Sequence, residues 1–179
     1  MAAGVDVHAM STETRVREAG RQEAGLLQSI LRRAFSEYEG RLDPPSGVHS
    51  ETVASIENKL QEGGALVCEA GGVVVGCIFY APRTGYLYVG RLAVLPEYRR
   101  HGIGDLLLQA VERRAAELDL SHVRLGVRLV LGKLRAYYAA RGYVPIAFRS
   151  HAGYAEPTYV EMERPCATTR RTSIVPNGL

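Results

Sequence analysis

A chain of 179 residues with 46 % hydrophobic and 23 % charged residues has the size and composition of a single globular domain. No apolar run approaches the roughly 20 residues of a membrane-spanning helix, and the N-terminus lacks the pattern of a secretory signal. The net charge of +3 permits anionic ligands but does not argue for a nucleic-acid partner.

The hydrophobic pattern changes period several times along the chain, which predicts both helices and strands. Up to residue 63 it predicts a flexible leader (1–12), a strand (14–19), a helix (22–38), a loop (39–47) and a helix (51–60). After that it predicts three strands (65–70, 73–81, 86–95), a helix (105–118), a strand (122–127), a helix (132–141), two strands (143–148, 158–163) and a flexible tail (166–179). Residues 13–165 therefore form one predicted domain, a mixed sheet with helices on its faces.

The three cysteines, Cys68, Cys77 and Cys166, have neither the spacing of metal ligands nor the even number of a disulfide set. Cys68 and Cys77 lie in apolar runs, which indicates small buried side chains in a reducing compartment. We therefore expect a cytoplasmic protein without a bound metal. Cys166 has no neighbour in the sequence that would activate it as a nucleophile.

The stretch YRRHGIG, residues 98–104, joins the third of the three consecutive strands to a helix. The first N–H groups of such a helix have no partner within it, and the helix dipole adds roughly half a positive charge there. Gly102 and Gly104 would let the backbone approach an anion, and Arg99 and Arg100 would add charged hydrogen bonds. The stretch thus predicts a phosphate site, although it completes neither the Walker nor the dinucleotide-binding pattern.

The residues RRHGIG (99–104) resemble the R/Q-x-x-G-x-G/A signature of the GCN5-related N-acetyltransferase (GNAT) family, whose loop holds the pyrophosphate of acetyl-CoA. The resemblance extends to the strand–loop–helix core (91–115), to AYYAARGYVP (136–145) and to the closing strand YVEMERP (159–165). It covers residues 13–165. It implies the acyl-CoA N-acyltransferase fold, a mixed twisted sheet flanked by helices in the order β-αα-βββ-α-β-α-ββ.

The resemblance also implies roles for individual residues. Tyr138 matches the tyrosine that serves many members as general acid toward the CoA sulfur; its alternative interpretation is a core tyrosine. Backbone groups of the third strand would pair with the pantetheine arm, and those of the loop would hold the pyrophosphate. The implied cofactor contacts are Leu92, Ala93, Val94, Arg99, Arg100, His101, Gly102, Ile103 and Gly104. A plain glycine-rich turn with solvated arginines is the alternative interpretation of the loop.

Two departures from the family pattern concern the cofactor and the base. Leu131 stands seven residues before Tyr138, where many members carry an asparagine that bonds the cofactor. The strand YLYVGRLAV (86–94) lacks the acidic residue that often serves as general base, and offers Arg91, Tyr86 and Tyr88 instead. The base therefore stays unidentified, and both a water relay and an acceptor that arrives neutral are open.

Several residues near the expected acceptor site have two interpretations each. Glu37 and Asp43 could attract a cationic amine, or could be solvated loop charges. Arg91 could bind an acceptor carboxylate or point to solvent. Further acceptor-site candidates are Tyr38, Tyr154 and Glu156.

We predict an N-acetyltransferase that passes an acetyl group directly from acetyl-CoA to a primary amine of a small molecule or peptide. One alternative is a non-catalytic acyl-CoA-binding regulatory module, suggested by Leu131 and the missing strand carboxylate. The other is a toxin that acetylates aminoacyl-tRNA, suggested by the pairs Arg32–Arg33, Arg113–Arg114 and Arg170–Arg171, which would require salt-dependent RNA binding. A homodimer is compatible with the sequence, which leaves the acceptor and the acyl chain length open.

Overall fold

The computed structural model describes residues 13–167, which form a seven-stranded mixed sheet covered by helices. The strands are β1 (Thr14–Glu18), β2 (Gly64–Ala70), β3 (Val73–Arg83), β4 (Tyr86–Val94), β5 (His122–Arg128), β6 (Val144–Arg149) and β7 (Tyr159–Pro165). The helices are α1 (Ala24–Phe35), α2 (Val53–Glu62), α3 (Ile103–Glu117) and α4 (Gly132–Ala139). The predicted fold class and the order β-αα-βββ-α-β-α-ββ are confirmed.

The strands lie in the order β1-β2-β3-β4-β5-β7-β6, and β4 with β5 is the parallel pair. That pair is short, because only Tyr86–Val89 and His122–Leu125 face each other. Beyond these residues the two strands separate. Arg91 has a φ of 54°, and the register of β4 on β3 shifts between Cys77 and Phe79, which marks a β-bulge. The result is an opening in the middle of the sheet.

The bulge changes which side chains of β4 face each side of the sheet. Before it, Leu87 and Val89 belong to the core under α3 and α4. After it, Leu92 and Val94 pack against that core, while Ala93 belongs to the second core, under α1 and α2. One extra residue therefore shifts the two-residue alternation by one position.

The ends of the elements differ from the predicted ends by at most three residues. β3 runs on to Arg83 because Pro82 and Arg83 still face Leu87 and Tyr86 in the hairpin. Helix α2 begins later than predicted because Thr52 accepts a hydrogen bond from the N–H of Ser55 and so caps it. The described part of the chain has no helix long and apolar enough to cross a membrane.

The predicted leader (1–12) and most of the predicted tail lie outside the described residues. Cys166, which the sequence assigns to the tail, donates its backbone N–H to the carbonyl of Ser121 at 2.8 Å and partly buries its side chain. Cys68 and Cys77 are buried, as predicted. In residues 13–167, no three His, Cys, Asp or Glu side chains are grouped as metal ligands would be.

Candidate active site

A cleft of about 1110 Å³ occupies the opening between β4 and β5 and is lined from both sides of the sheet. Its α3 end is lined by Arg99, Arg100, Gly102, Gly104, Tyr137 and Tyr138. Its β7 end is lined by Tyr88, Arg91, Gly126, Arg128, His151 and Tyr159.

The turn that leads into α3 presents backbone N–H groups to the α3 end. Arg100 (φ 62°) and Gly102 (φ 77°) have left-handed backbones, and α3 begins at the next residue, Ile103. The Ile103 side chain is 3 % exposed and anchors the turn in the core. A Cβ on Gly102 would meet nothing within 4 Å, so the backbone angle, not the space, favours glycine. A helix N-terminus of this kind can hold an anion, and the anion site itself stays a prediction.

The Arg99 side chain has a different place from the predicted one. Its guanidinium donates to the Glu37 carboxylate at 2.6 Å and to two backbone carbonyls, those of Ala34 at 2.7 Å and Val94 at 3.1 Å. It therefore ties the end of α1 to the end of β4 and is not directed at a bound anion. Arg100 is exposed, lines the cleft and has no side-chain partner among the described residues. His101 is exposed and lies outside the lining.

A cluster that the sequence analysis missed stands beside this turn. Tyr137 Oη and Arg141 Nε both donate to Asp105 Oδ1, at 2.7 and 2.6 Å, and the Arg141 guanidinium lies 3.5 Å from the centre of the Tyr137 ring. The hydrogen bond from Arg141, helped by that from Tyr137, lowers the pKa of Asp105. Arg141 thereby offsets a negative charge in the first turn of α3. A Cβ on Gly104 would lie 2.8 Å from Tyr137 Oη, so this glycine allows α3 and α4 to approach each other.

Tyr138 is the most buried tyrosine in the cleft lining, at 7 % exposure. Its ring packs edge-on against Tyr137 and Tyr143, whose hydroxyls are bonded to Asp105 and Glu112. The Tyr138 hydroxyl has no partner in the described part of the chain. Burial raises the pKa of Tyr138 well above its usual value, and so the hydroxyl keeps its proton at neutral pH.

The segment Leu92–Val94 lines the cleft with an open strand edge. Among the described residues, no strand faces the β5 side of β4 after Val89. Such an edge can pair with an extended ligand, although the Val94 carbonyl already accepts a bond from Arg99. Leu131 also lines the cleft and brings an apolar side chain to the start of α4, which has no side-chain cap.

Aromatic side chains form the wall of the β7 end. Gly126 is the first residue of β5 beyond its pairing with β4, and a Cβ there would lie 3.3 Å from the Tyr159 ring and 3.5 Å from Tyr88 Oη. The His151 ring packs edge-on against Tyr159, with 4.9 Å between the ring centres. Thr158 Oγ1 accepts the backbone N–H of His151 and hydrogen-bonds its Nδ1.

The surroundings of His151 favour the neutral form of its imidazole. Burial, with the charge of Arg128 as a second cause, lowers the pKa of His151 below its ordinary value. The sequence analysis selected Tyr154 and Glu156 from the same segment instead. Tyr154 donates its hydroxyl to Asp43, and Glu156 is exposed, so neither is in the lining.

Glu51 balances the charge of Arg91, a partner that the sequence did not reveal. Glu51 is 5 % exposed and accepts from Arg91 Nη2 at 2.9 Å, with Lys59 Nζ at 3.3 Å. Burial opposes ionisation of Glu51, but hydrogen bonds from Ser55 and Arg91 and the nearby positive charges outweigh it and lower its pKa. Arg91 therefore faces the cleft as part of an ion pair.

The predicted capture of a cationic amine by Glu37 or Asp43 is not supported by their positions. Glu37 is paired with Arg99, and Asp43 is bonded to Tyr154 and lies outside the cleft lining. Tyr38, named with them, does line the cleft.

Comparison with known proteins adds a family and a fold. The model of the acetyltransferase (GNAT) family matches residues 26–143. Similar solved structures include the ribosomal-protein-S18-alanine N-acetyltransferase from Escherichia coli, with 16 % identity and a TM-score of 0.70 over 89 % of this chain and 98 % of that one. Ard1 from Thermoplasma volcanium has 22 % identity and a TM-score of 0.70 over 86 % of this chain and 97 % of that one.

A third similar structure is the PaiA N-acetyltransferase from Thermoplasma acidophilum in complex with coenzyme A, with 17 % identity and a TM-score of 0.71 over 86 % of this chain and 99 % of that one. At such identities these structures show a shared fold. A search of curated proteins found no match to the sequence.

Proposed function

The chain belongs to the acetyltransferase (GNAT) family, and on that basis we propose that it transfers an acetyl group from acetyl-CoA directly to a primary amine of a small molecule or peptide, in the cytoplasm. One observation carries the proposal. A single cleft joins the N-terminus of α3, an open edge of β4 and the protonated hydroxyl of Tyr138.

The α3 end has groups that fit acetyl-CoA. Backbone N–H groups from Arg100 to Gly104, with the Arg100 side chain, would hold the pyrophosphate. The backbone of Leu92–Val94 would hold the pantetheine arm as an added strand. Arg99 would act by positioning the turn, because its guanidinium is taken by Glu37 and two carbonyls. Acetyl-CoA supplies an activated acetyl group when bound.

The transfer requires two proton movements besides the change of bonds. The amine nitrogen forms a bond to the acetyl carbon and loses a proton, while the carbon–sulfur bond breaks and the sulfur gains a proton. We assign the donation to sulfur to Tyr138, whose hydroxyl is protonated and without a protein partner. We assign the removal of the amine proton to the neutral imidazole of His151, which would act directly or through water. His151 would thus take the role of the carboxylate that β4 lacks.

The RNA-directed alternative is not favoured by the structure. Arg33 is paired with Glu97, and Arg114 is paired with both Glu18 and Glu117. The arginine pairs in the described residues therefore do not form a continuous surface of unpaired cations. Arg170 and Arg171 lie outside the described residues.

Calorimetric titration with acetyl-CoA and with CoA, followed by an assay of CoA-thiol release with a panel of amines, tests the proposal. We expect micromolar binding of acetyl-CoA and thiol release with at least one amine. Binding without turnover across a broad panel would indicate the non-catalytic module instead. Absence of binding by a folded protein would overturn both interpretations.

A further inference from the structure

We infer that the acceptor carries a carboxylate next to its amine, as an amino acid does, and that Arg128 binds this carboxylate at the β7 end of the cleft. The inference rests on the proposed function and adds the chemical class of the acceptor. It concerns a residue to which the sequence analysis gave no role.

Arg128 is placed on the side of the sheet that faces away from α3. Val127 and Leu125 are buried in the core under α3 and α4, so the alternation of β5 turns Gly126 and Arg128 to the opposite side. There the guanidinium reaches the loop between α1 and α2, which covers this side of the cleft. Arg128 is the last residue of β5 and lies two residues beyond Gly126, at the opening.

The hydrogen bonds of Arg128 leave part of its guanidinium unused. Nη2 donates to the carbonyls of Pro44 at 2.7 Å and Pro45 at 3.1 Å. In residues 13–167, neither Nε nor Nη1 has an acceptor, and no carboxylate lies within ion-pair distance. Burial lowers the pKa of Arg128, yet a guanidinium remains charged at any physiological pH. The charges of Tyr154 and Asp43 favour the charged form of Arg128 but do not outweigh burial. A half-buried cation whose only hydrogen bonds go to two carbonyls would therefore gain from an anionic ligand.

The other arginines of the cleft show how unusual this is. Within the described residues, Arg91, Arg99 and Arg141 each form an ion pair, with Glu51, Glu37 and Asp105 respectively. Arg100 and Arg128 do not. Arg100 stands beside the predicted pyrophosphate site, which leaves Arg128 as the unpaired cation of the β7 end.

The charge of the lining at the β7 end favours an anionic group over a polycation. The carboxylates that line the cleft, Glu37 and Asp105, are both paired with arginines near the α3 end. Two adjacent N–H donors of a guanidinium match the two oxygens of a carboxylate. An acceptor held in this way would have its carboxylate at Arg128 and its amine directed along the cleft toward the α3 end.

The test compares matched amines with and without a carboxylate, such as phenylalanine with phenethylamine and histidine with histamine, in the thiol-release assay. We expect kcat/KM to be about tenfold or more higher for the amino acid, the effect of one charged hydrogen bond. Arg128→Gln should remove this preference, because KM for the amino acid should rise much more than KM for the plain amine.

Two further variants separate binding from a role in holding the loop. Arg124→Gln is the matched control, because Arg124 lies on the same side of β5, pairs with Glu163 at 2.8 Å and is outside the cleft lining. It should leave the preference intact. Arg128→Lys keeps the charge and should retain part of the preference. If Arg128 only supports the loop, both Arg128 variants will slow the two amines of a pair equally, which overturns the inference.

The inference also fails if the wild-type protein prefers amines without a carboxylate, or treats both alike. If no amine is acetylated, the proposed function is wrong, but the site can still be tested. Calorimetry of the acetyl-CoA-loaded protein with phenylalanine should then show binding that Arg128→Gln removes and Arg124→Gln retains. No binding in the wild-type protein would refute the carboxylate site.

Discussion

The two ends of the cleft are built in different ways. At the α3 end the binding groups are mainly backbone N–H groups of one short turn, residues 98–104, and an open strand edge just before it. At the β7 end they are side chains from β4, β5, β7 and the segment that precedes β7. Under the proposed function, a ligand at the first end would be recognised by backbone geometry, whereas a ligand at the second would be recognised by side-chain charge and shape. The predictions below test this contrast.

Gly102→Asp should have the largest effect, because it places a negative charge at the start of α3. Loss of charged hydrogen bonds together with repulsion should cost on the order of 4 kcal/mol, about a thousandfold in acetyl-CoA affinity. Titration calorimetry measures this directly. Gly72→Asp is the matched control, since Gly72 has a φ of +79° and equally open surroundings but lies outside the cleft. Equal affinity for both variants and the wild-type protein would place the phosphates elsewhere.

Tyr138→Phe should lower kcat by about a hundredfold while acetyl-CoA affinity changes little, as expected for loss of a positioned acid. Steady-state rates and calorimetry on the same variant separate the two quantities. Tyr143→Phe removes a neighbouring buried hydroxyl, bonded to Glu112, that is not in the cleft lining. It should cost about 1 kcal/mol of stability and leave kcat unchanged. A normal kcat in Tyr138→Phe would indicate that Tyr138 only packs in the core and that its hydroxyl has no catalytic role.

Arg100→Gln and Arg99→Gln should differ in kind, although the two residues are adjacent. Arg100→Gln should weaken acetyl-CoA binding about tenfold at low salt, with an unchanged Tm. Arg99→Gln should mainly lower Tm, by about 4 to 8 °C, because loss of its bonds to Glu37, Ala34 and Val94 costs about 2 kcal/mol. Thermal unfolding and calorimetry on both variants decide the matter. The reverse pattern would indicate that the Arg99 side chain binds the anion.

The smallest expected effect is a change in the titration of His151. Its pKa should lie below the ordinary histidine value, so that the neutral, proton-accepting form predominates at pH 7. Arg128→Gln removes one of the two causes, and the pKa should rise but stay below the ordinary value because burial remains. NMR titration of the imidazole measures both, with Arg124→Gln as the variant that should leave it unmoved. Titration of wild-type His151 at or above the ordinary value would argue against its proposed role.

The same contrast explains which parts of the site were predictable. The turn at Gly102 depends on neighbours in the sequence, and its position before a helix follows from local patterns. The place of the Arg99 side chain does not, because it reaches the Ala34 carbonyl, 65 residues away. Likewise, Glu51 becomes a buried partner only when α2 and β4 bring it to Arg91, 40 residues away.

Most of the β7 end was also unpredictable, because it depends on contacts between residues far apart in the sequence. The alternation of β4 predicts a regular strand, and nothing in it shows the bulge at Arg91 that shifts the later side chains by one position. Tyr154 and Glu156 were expected at the acceptor site, yet the residues of their segment that line the cleft are Ala152 and His151, the latter held by Thr158 and Tyr159. The order of the elements followed from the sequence, because the period of the hydrophobic pattern changes clearly from element to element. The family fold was implied by the resemblance of residues such as RRHGIG (99–104).

The separation of β4 from β5 has a consequence for the order of events in turnover. Under the proposed function, a passage that is lined from both sides of one sheet would let a donor and an acceptor enter from opposite sides without displacing each other. We then expect both to be bound at once, as direct transfer would require. Double-reciprocal plots of initial rate at several fixed acceptor concentrations should then intersect, whereas parallel lines would indicate that the acyl group is first passed to the protein.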